Sequence, residues 1–452
     1  MIDHTRSAHD HPDRGDGPRP ATSDRYRIRV GAGLSAEQSS AAAARAVVAS
    51  CSEGLDGAHA DLVFVFLSPH HVEHASLIAD ALRTELQAGV LLGVSATGVL
   101  GGAIELEQAP GLSALALRLP GVHVTPFLSE QFMPVDDSDD GLDRLGATMG
   151  VPDGAGPLRG VFLFADPFTT PMIKLLPAMN RALARGQGFS TAFPRTPILG
   201  GVASAGRAAG GNVLILDGRI VRSGAAGVSL RGPVRIDTVV SQGCRPFGPT
   251  MVVTKARGNI IFQLGGKPAL QAVQEAVEML DDDQKPLLEQ GLYVGRAVSE
   301  YKERFGRDDF LIRNFMGADP NSNAIAVGDM IRVGQTVQFH VRDATTAHED
   351  LALLLDAQKL HDRPHGALLV TCNGRGTKLF ARPHHDASAL VRAFQPPEAG
   401  ESLAKAGVQI DPRTPPVPTA GFFAAGEVGP LGMQSYLHGQ TACAALFRSP
   451  AI

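Results

Sequence analysis

The clearest pattern in the chain is a set of short, continuous apolar runs that recur at wide intervals. They are rich in β-branched and aromatic residues, as in strands buried on both faces. Each is followed by apolar residues at helical spacing, then by a second apolar segment and a glycine-containing turn. Before the first run, Ser35–Ser52 predicts an Ala-rich helix with Ser35 as its N-cap. The three clearest runs are Leu62–Ser68, Val161–Asp166 and Ala367–Asn373.

The turn glycines indicate that this unit repeats. Gly98, Gly206, Gly317 and Gly426 are separated by 108, 111 and 109 residues. Regular intervals are typical of internal repeats, although 51 glycines also allow chance spacing. The copy that contains Gly317, residues 259–341, is weaker than the others. We therefore predict an α/β fold of two halves, each built of two repeated strand–helix–strand–turn–strand modules of about 110 residues.

Composition divides the chain into a tail and two domains. Residues 1–24 contain almost no apolar side chains, so we expect a disordered tail. Turn-forming residues cluster at 231–249, which predicts one domain at 25–240 and a second at 241–452. Proline and glycine recur through 395–418 and predict an irregular surface loop there.

Charge and motif content exclude several classes of function. The 41 basic and 46 acidic residues give a net charge of −5, and no basic stripe indicates a nucleic-acid partner. No apolar run is long enough for a membrane span, and the N-terminus lacks a signal sequence, so we expect a cytoplasmic protein. The four cysteines, Cys51, Cys244, Cys372 and Cys443, have neither zinc-site nor disulfide-framework spacing. We expect no metal and no cofactor.

The candidate chemistry is concentrated near the C-terminus. In the stretch Thr419–Thr441 a small-residue strand enters Gly426, and Glu427 and His438 are the side chains there that are charged or easily charged near neutral pH. Glu427 is able to accept a hydrogen bond from a ligand ammonium or hydroxyl group, and His438 to share its pocket. The alternative is that the glycines only form turns and that the Glu427 side chain is solvated or locally capped.

Two further candidates lie upstream of this stretch. Arg342 and Asp343 end a predicted strand, where a guanidinium binds planar anions bidentately; the alternative is an ion pair that ties the loop to the next helix. Cys372 also follows a strand, but Asn-Gly after it is first a turn signal, and no motif sets a base beside the thiol.

Three segments of the chain resemble one known family. GFFAAGEVGP (421–430) followed by HG (438–439), FHVRDATTAHEDL (339–351) and GVSATGVLGG (93–102) are similar to hallmarks of the FIST sensory proteins, in the same order. The resemblance implies an N-terminal and a C-terminal FIST domain that bind a small ligand, with amino acids as proposed ligands. Glu427 and His438 also recur in the pattern of this family. The candidate ligand-binding residues are Arg342, Asp343, Gly426, Glu427, His438, Gly98 and Ser95.

From this we expect a stand-alone ligand-binding protein rather than an enzyme. Such proteins are often fused to an output module; we expect none here, so signalling would run through a partner protein. The pocket would lie between the two halves, whose relative orientation the ligand would bias. The alternatives are a hydrolase- or lyase-type enzyme with Glu427 or His438 as general base, and a scaffold that binds another protein.

Overall fold

The strands and helices form repeated modules and one inserted unit. The structure is a computed structural model and describes residues 27–151, 156–186, 196–282, 284–302, 304–306, 309–395 and 415–450. The predicted tail, 1–24, and most of the predicted loop, 395–418, lie outside these residues.

The N-terminal half contains two modules of the same order. The first is β1 (Arg29–Ser35), α1 (Ser40–Leu55), β2 (Leu62–Leu67), α2 (Ala75–Glu85), β3 (Val90–Ser95), β4 (Gly98–Gly101), β5 (Ile104–Glu107) and β6 (Leu112–Arg118). The second is β7 (His123–Leu128), α3 (Asp139–Thr148), β8 (Leu158–Ala165), α4 (Met172–Gly186), β9 (Ile198–Val202), β10 (Leu214–Leu216), β11 (Arg219–Val221) and β12 (Ala225–Arg231).

The third module is interrupted after its first strand. That strand is β13 (Arg235–Gln242). The inserted unit follows as β14 (Cys244–Arg257), β15 (Ile260–Leu264), β16 (Lys267–Pro268), α5 (Ala269–Glu278), β17 (Leu292–Ala297), β18 (Phe310–Asp319), β19 (Ala324–Val327) and β20 (Thr336–Arg342). The module resumes with α6 (Ala344–Gln358), β21 (Gly366–Cys372), α7 (His385–Ala393), β22 (Thr419–Ala424), β23 (Glu427–Leu431), β24 (Gln434–His438) and β25 (Thr441–Arg448).

Each module builds a four-stranded sheet with one strand order. The orders are β1-β6-β2-β3, β7-β12-β8-β9 and β13-β25-β21-β22. In every module the last two of these strands are parallel, as a helical crossover between them requires. The shared order identifies three copies of one supersecondary unit.

The three sheets are linked by exchanged hairpins. The hairpin β4–β5 of the first module extends the sheet of the third, β10–β11 of the second extends the sheet of the first, and β23–β24 of the third extends the sheet of the second. Each exchanged hairpin follows the glycine turn of its module. The sheet of each module is therefore completed by a hairpin from one other module, and the three exchanges form a closed ring.

The continuous apolar runs serve two cores at once because alternate residues of a strand face opposite sides of the sheet. In β2, Phe64 and Phe66 face a central core, whereas Val63 and Val65 pack under α1 and α2. Rings from all three modules meet in the central core: Phe64 lies 5.0 Å from Phe162, and Phe66 lies 5.0 Å from Phe422. These contacts bind the modules into one body.

The α/β class is confirmed, and so are the two halves with sheets in each. The arrangement within the second half differs from the predicted one. Residues 259–341 do contain the predicted strands and helix, but every strand pair of the inserted unit is antiparallel and it has its own core. It is an insertion in the third module, not a fourth copy. Local hydrophobic pattern defines elements; it does not define which strands pair.

Two local predictions also differ. Helix α1 begins at Ser40, because Ser35 ends β1 and the side chain of Ser39 caps the helix by accepting from the Ala42 N–H. The predicted irregular link at 231–249 is occupied by β13 and the start of β14, so the predicted boundary at 240/241 falls within β13. The division into domains at that residue stays a prediction.

Candidate functional site

Glu427 is the first residue of β23, where the exchanged hairpin leaves the third module. Its side chain is fully buried. One oxygen, Oε2, accepts hydrogen bonds from the Thr441 hydroxyl at 2.6 Å and the Thr441 N–H at 3.2 Å. The other, Oε1, has no partner in the described residues. Burial raises the pKa of Glu427 to about 8, so this carboxyl group is mostly protonated at neutral pH.

Two thiols flank the carboxyl group. Cys372, at the end of β21, and Cys443, on β25, lie close enough to Glu427 to interact with it electrostatically. Burial, and then the Glu427 carboxyl, raise the pKa of both thiols. Because a thiolate is the reactive form of cysteine, the structure gives no support to Cys372 as a nucleophile.

A buried ion pair lies behind Cys372. Arg375 and Asp386 have no exposed side-chain surface, and two hydrogen bonds of 2.7 and 2.8 Å join the guanidinium and carboxylate in a fork. Burial alone would raise the pKa of Asp386, but Arg375 lowers it below its usual range. Asp386 also accepts from Thr371 and His385. Both charges are therefore held in fixed positions near the carboxyl group of Glu427.

Gln440 lies next to Arg375 and has a left-handed backbone conformation, with φ of 64°. Its carbonyl oxygen accepts from the Gly243 N–H at 3.0 Å and from Arg375 at 3.4 Å. Its side-chain Oε1 is buried without a hydrogen-bond partner in the described residues. The amide lies against Gly374, where an added Cβ would come within 2.9 Å of Oε1.

Arg342 reaches the same region from the end of the inserted unit. Its Nη2 donates to the Lys378 carbonyl at 2.6 Å, and its side chain lies close enough to Tyr293 to interact with it electrostatically. Its Nε is buried and unpaired in the part of the chain that the structure describes. Tyr293 in turn interacts electrostatically with Cys372, which connects Arg342 to the group around Glu427.

We call the residues Arg342, Cys372, Glu427 and Gln440 the polar cluster. Five buried side-chain nitrogen or oxygen atoms lack a partner among the described residues, and three of them belong to the polar cluster: Arg342 Nε, Glu427 Oε1 and Gln440 Oε1. Leaving such an atom unpaired costs about 1–3 kcal/mol. Buried polar atoms without a partner are rare in native proteins, and these three belong to residues that Tyr293, Cys372 and Arg375 link to one another, so they call for an explanation such as a bound ligand.

The other sequence-predicted residues have structural roles. Asp343 caps α6 by accepting from the N–H groups of Thr345 and Thr346, and it pairs with Arg245 at 3.0 Å. His438 lies opposite Glu427 in the hairpin, but its Nε2 is bonded to the Gly429 carbonyl at 2.9 Å. Burial lowers the pKa of His438 to about 4, so it is neutral.

The remaining predicted residues serve the junction of the modules. The hydroxyl of Ser95 accepts from the Val213 N–H at 2.9 Å. At Gly98 an added Cβ would lie 2.9 Å from the Phe423 ring. The carbonyl of Gly426 accepts from the Val202 N–H at 2.8 Å.

Sequence reasoning named Arg342 and Glu427 and missed Gln440 and Arg375. The segment from His438 to Gln440 predicted a polar turn before the last strand, and nothing in the sequence around Gly439 marks Gln440 as an amide whose backbone carbonyl accepts from a buried arginine. No group of three or more His, Cys, Asp or Glu residues in the described ranges could hold a metal ion. Among those same residues no helix is both long and apolar enough to span a membrane.

Comparison with known proteins gives the family. The FIST N domain model matches residues 61–267, and the FIST C domain model matches residues 269–430. An uncharacterized protein of Mycobacterium tuberculosis, Rv0628c, is 35% identical over 422 residues, which is 93% of this chain and 100% of the relative. The uncharacterized protein Mb0898c of Mycobacterium bovis is 34% identical over 422 residues, 93% of this chain and 99% of the relative.

The chain belongs to the FIST family, and the resemblance found in its sequence is confirmed. FIST domains are associated with sensory signal transduction.

Proposed function

We propose that this protein is a sensor that binds a small polar ligand, with amino acids as the first class to test, at the polar cluster. The observation that carries the proposal is the set of three unpaired buried atoms: Arg342 Nε, Glu427 Oε1 and Gln440 Oε1. A ligand that pairs all three removes their desolvation cost on binding. It is thereby favoured over ligands of similar size that pair only one.

The chemistry of these atoms suits an α-amino acid. The guanidinium of Arg342 is suited to a carboxylate, and the two side-chain oxygens of Glu427 and Gln440 are suited to an ammonium group. An ammonium group would bind the ionised form of Glu427 and release its proton. Since burial holds the pKa of Glu427 at about 8, affinity for such a ligand should rise with pH up to that value.

A route for the signal is supported by the position of the polar cluster at the base of the inserted unit. The chain enters that unit after Gly243 and leaves it at Arg342, and the Asp343 N–H donates to the Gly243 carbonyl at 3.2 Å. On the other side, Arg313 of the inserted unit donates to the Leu437 carbonyl in the exchanged hairpin at 2.9 Å. A ligand held by both Arg342 and Glu427 would bias the orientation of the unit.

The partner that receives the signal would bind the inserted unit. That unit exposes apolar side chains, among them Met316 at 64%, Met330 at 58% and Val333 at 62%. Exposed apolar side chains of this size favour a protein–protein contact when they are contiguous. The cytoplasmic location stays a prediction.

The test is a thermal-shift screen of the purified protein against amino acids and small metabolites. A ligand present at about 100 times its Kd adds roughly 2.7 kcal/mol of stability, a shift of a few degrees. Glu427→Gln and Arg342→Met should abolish the shift. Glu105→Gln is the matched control, because Glu105 is also a buried carboxyl group with one unpaired oxygen, outside the polar cluster. A shift that survives both cluster variants would overturn the proposal.

One observation favours the alternative of a hydrolase- or lyase-type enzyme. Burial raises the pKa of Glu427 to about 8, within the range useful for a general acid or base. That function predicts turnover that is lost in Glu427→Gln while ligand affinity is kept. Loss of affinity in the same variant supports the sensor instead.

A further inference from the structure

A second pocket lies between helices α6 and α7, away from the unpaired atoms of the polar cluster. Its volume is about 500 Å³, which is within the usual range for sites that bind small molecules. Its floor is apolar, and its rim is basic. The floor consists of Ala352, Leu355, Ala389 and Ala393, and the basic rim consists of Lys359, Arg382 and Arg392.

The rim carries an excess of positive charge. Asp356 is the acidic residue that lines the pocket, and it pairs with Lys359 at 2.6 Å. Arg382 and Arg392 are exposed, and the guanidinium of neither makes a hydrogen bond or ion pair within the described ranges. Two free guanidinium groups above an apolar floor are suited to an anion that carries an apolar body.

One wall of the pocket is an ordered chain of imidazoles. His385 Nδ1 lies 2.9 Å from the buried carboxylate of Asp386, and His385 Nε2 lies 3.0 Å from His348 Nδ1. The ring of His385 also stacks on Phe380 with centroids 3.5 Å apart. An Asp carboxylate only accepts, so His385 Nδ1 donates to it. When the His385 ring is neutral, its Nε2 accepts from His348 Nδ1–H. These contacts hold both rings in place along the pocket wall.

We propose that this pocket binds a small organic monocarboxylate with an aromatic or branched aliphatic body. The carboxylate would be held between Arg382 and Arg392, and the apolar body would lie on Leu355 and the surrounding alanines. The pocket is distinct from the polar cluster, although the buried pair Arg375–Asp386 stands between them and contacts both. The proposal does not depend on what the polar cluster binds.

Isothermal titration with benzoate, and with benzamide as its neutral match, tests this directly. Benzoate should bind with a Kd of about 10 mM or lower. Benzamide should bind at least about tenfold more weakly, because it cannot form a charged pair with arginine. Acetate, which lacks the apolar body, should also bind more weakly than benzoate.

The variants locate the binding. Arg382→Ala/Arg392→Ala should weaken benzoate binding at least about tenfold, the effect of losing about 1.4 kcal/mol, with an unchanged melting temperature. Arg332→Ala, an exposed arginine of the inserted unit, is the matched control and should bind as wild type. Equal binding of benzoate and benzamide, benzoate binding that the double variant leaves unchanged, or no benzoate binding at the highest concentration would each overturn the proposal.

Discussion

The guanidinium of Arg375 and the carboxylate of Asp386 form a two-bond ion pair with no exposed surface on either side chain. The pair joins the turn after β21 to the start of α7. It also contacts the polar cluster, since Arg375 donates to the Gln440 carbonyl. It therefore fixes the geometry of the candidate site without belonging to the atoms that face a ligand.

Asp386→Ala should destabilise the protein strongly. It leaves the Arg375 charge buried and unpaired, a situation that costs about 3–5 kcal/mol. Urea unfolding followed by circular dichroism measures this. Asp139→Ala breaks the exposed pair with Arg185 and should cost less than about 1 kcal/mol. The double change Arg375→Met/Asp386→Leu should be milder than Asp386→Ala; if it is as damaging, the unpaired charge is not the cause.

Glycine at position 421 should be irreplaceable for a steric reason. An added Cβ would lie 1.7 Å from the Leu369 carbonyl oxygen across the β21–β22 pair. Gly421→Ala should therefore abolish soluble expression or cost more than about 3 kcal/mol. Gly439 has no atom within 4 Å of its would-be Cβ, so Gly439→Ala should change stability by less than about 0.5 kcal/mol. Similar melting temperatures for the two variants would contradict this explanation of the GFF segment.

The junction of the three modules depends on the hydroxyl of Ser204. It accepts from the Thr97 N–H at 2.9 Å and donates to the Phe423 carbonyl. Ser204 belongs to the second module, and it is thus hydrogen-bonded to both the first and the third. Ser204→Ala should lower the free energy of unfolding by about 1–3 kcal/mol, because it leaves buried backbone groups unpaired. Ser50→Ala removes a hydroxyl that bonds within its own helix on the surface, and is the control. Equal effects on urea midpoints would argue against a bridging role.

The pH dependence of stability should report on Glu427. Burial raises its pKa from 4.5 to about 8, so between these values the folded state holds a proton that the unfolded state has lost. Its contribution to stability is thus full below pH 4.5 and is lost as the pH rises toward 8. The free energy of unfolding of Glu427→Gln, relative to that of wild type, should therefore increase by up to about 1.4 kcal/mol for each pH unit as the pH rises through this window.

The exposed Glu289 supplies the control for that experiment. Urea midpoints of wild type, Glu427→Gln and Glu289→Gln are compared at intervals through the window. The difference between wild type and Glu289→Gln should not change with pH. A difference between wild type and Glu427→Gln that is also flat would mean that Glu427 is ionised in the folded protein.

Local elements were predictable from the sequence because they depend on residues close in the chain. The buried run at Leu62–Ser68 became β2 within one residue, and the helical spacing that begins at Ala75 became α2. Even the inserted unit has its strand and helix near the predicted positions, at Ile260–Leu264 and Ala269–Glu278. What the pattern could not supply was the pairing of these strands, which brings together residues hundreds of positions apart.

The candidate site was predictable only in part, for the same reason. Glu427 drew attention as an acidic residue among glycines and small apolar residues. Which carboxyl oxygen of Glu427 lacks a partner depends on Thr441, fourteen residues later, which bonds the other oxygen. The nearby Arg375 is paired with Asp386 in a helix that begins ten residues after it. Asp343 had been considered as either a ligand group or a structural one, and its four polar contacts favour the structural role.

The most direct test of the central claim is a high-resolution crystal structure of the protein grown with a pool of amino acids. The account predicts electron density for a small molecule within hydrogen-bond distance of Arg342 Nε, Glu427 Oε1 and Gln440 Oε1. Density for ordered water alone at all three atoms, or an amino acid bound elsewhere while these atoms are paired with protein groups, would contradict it.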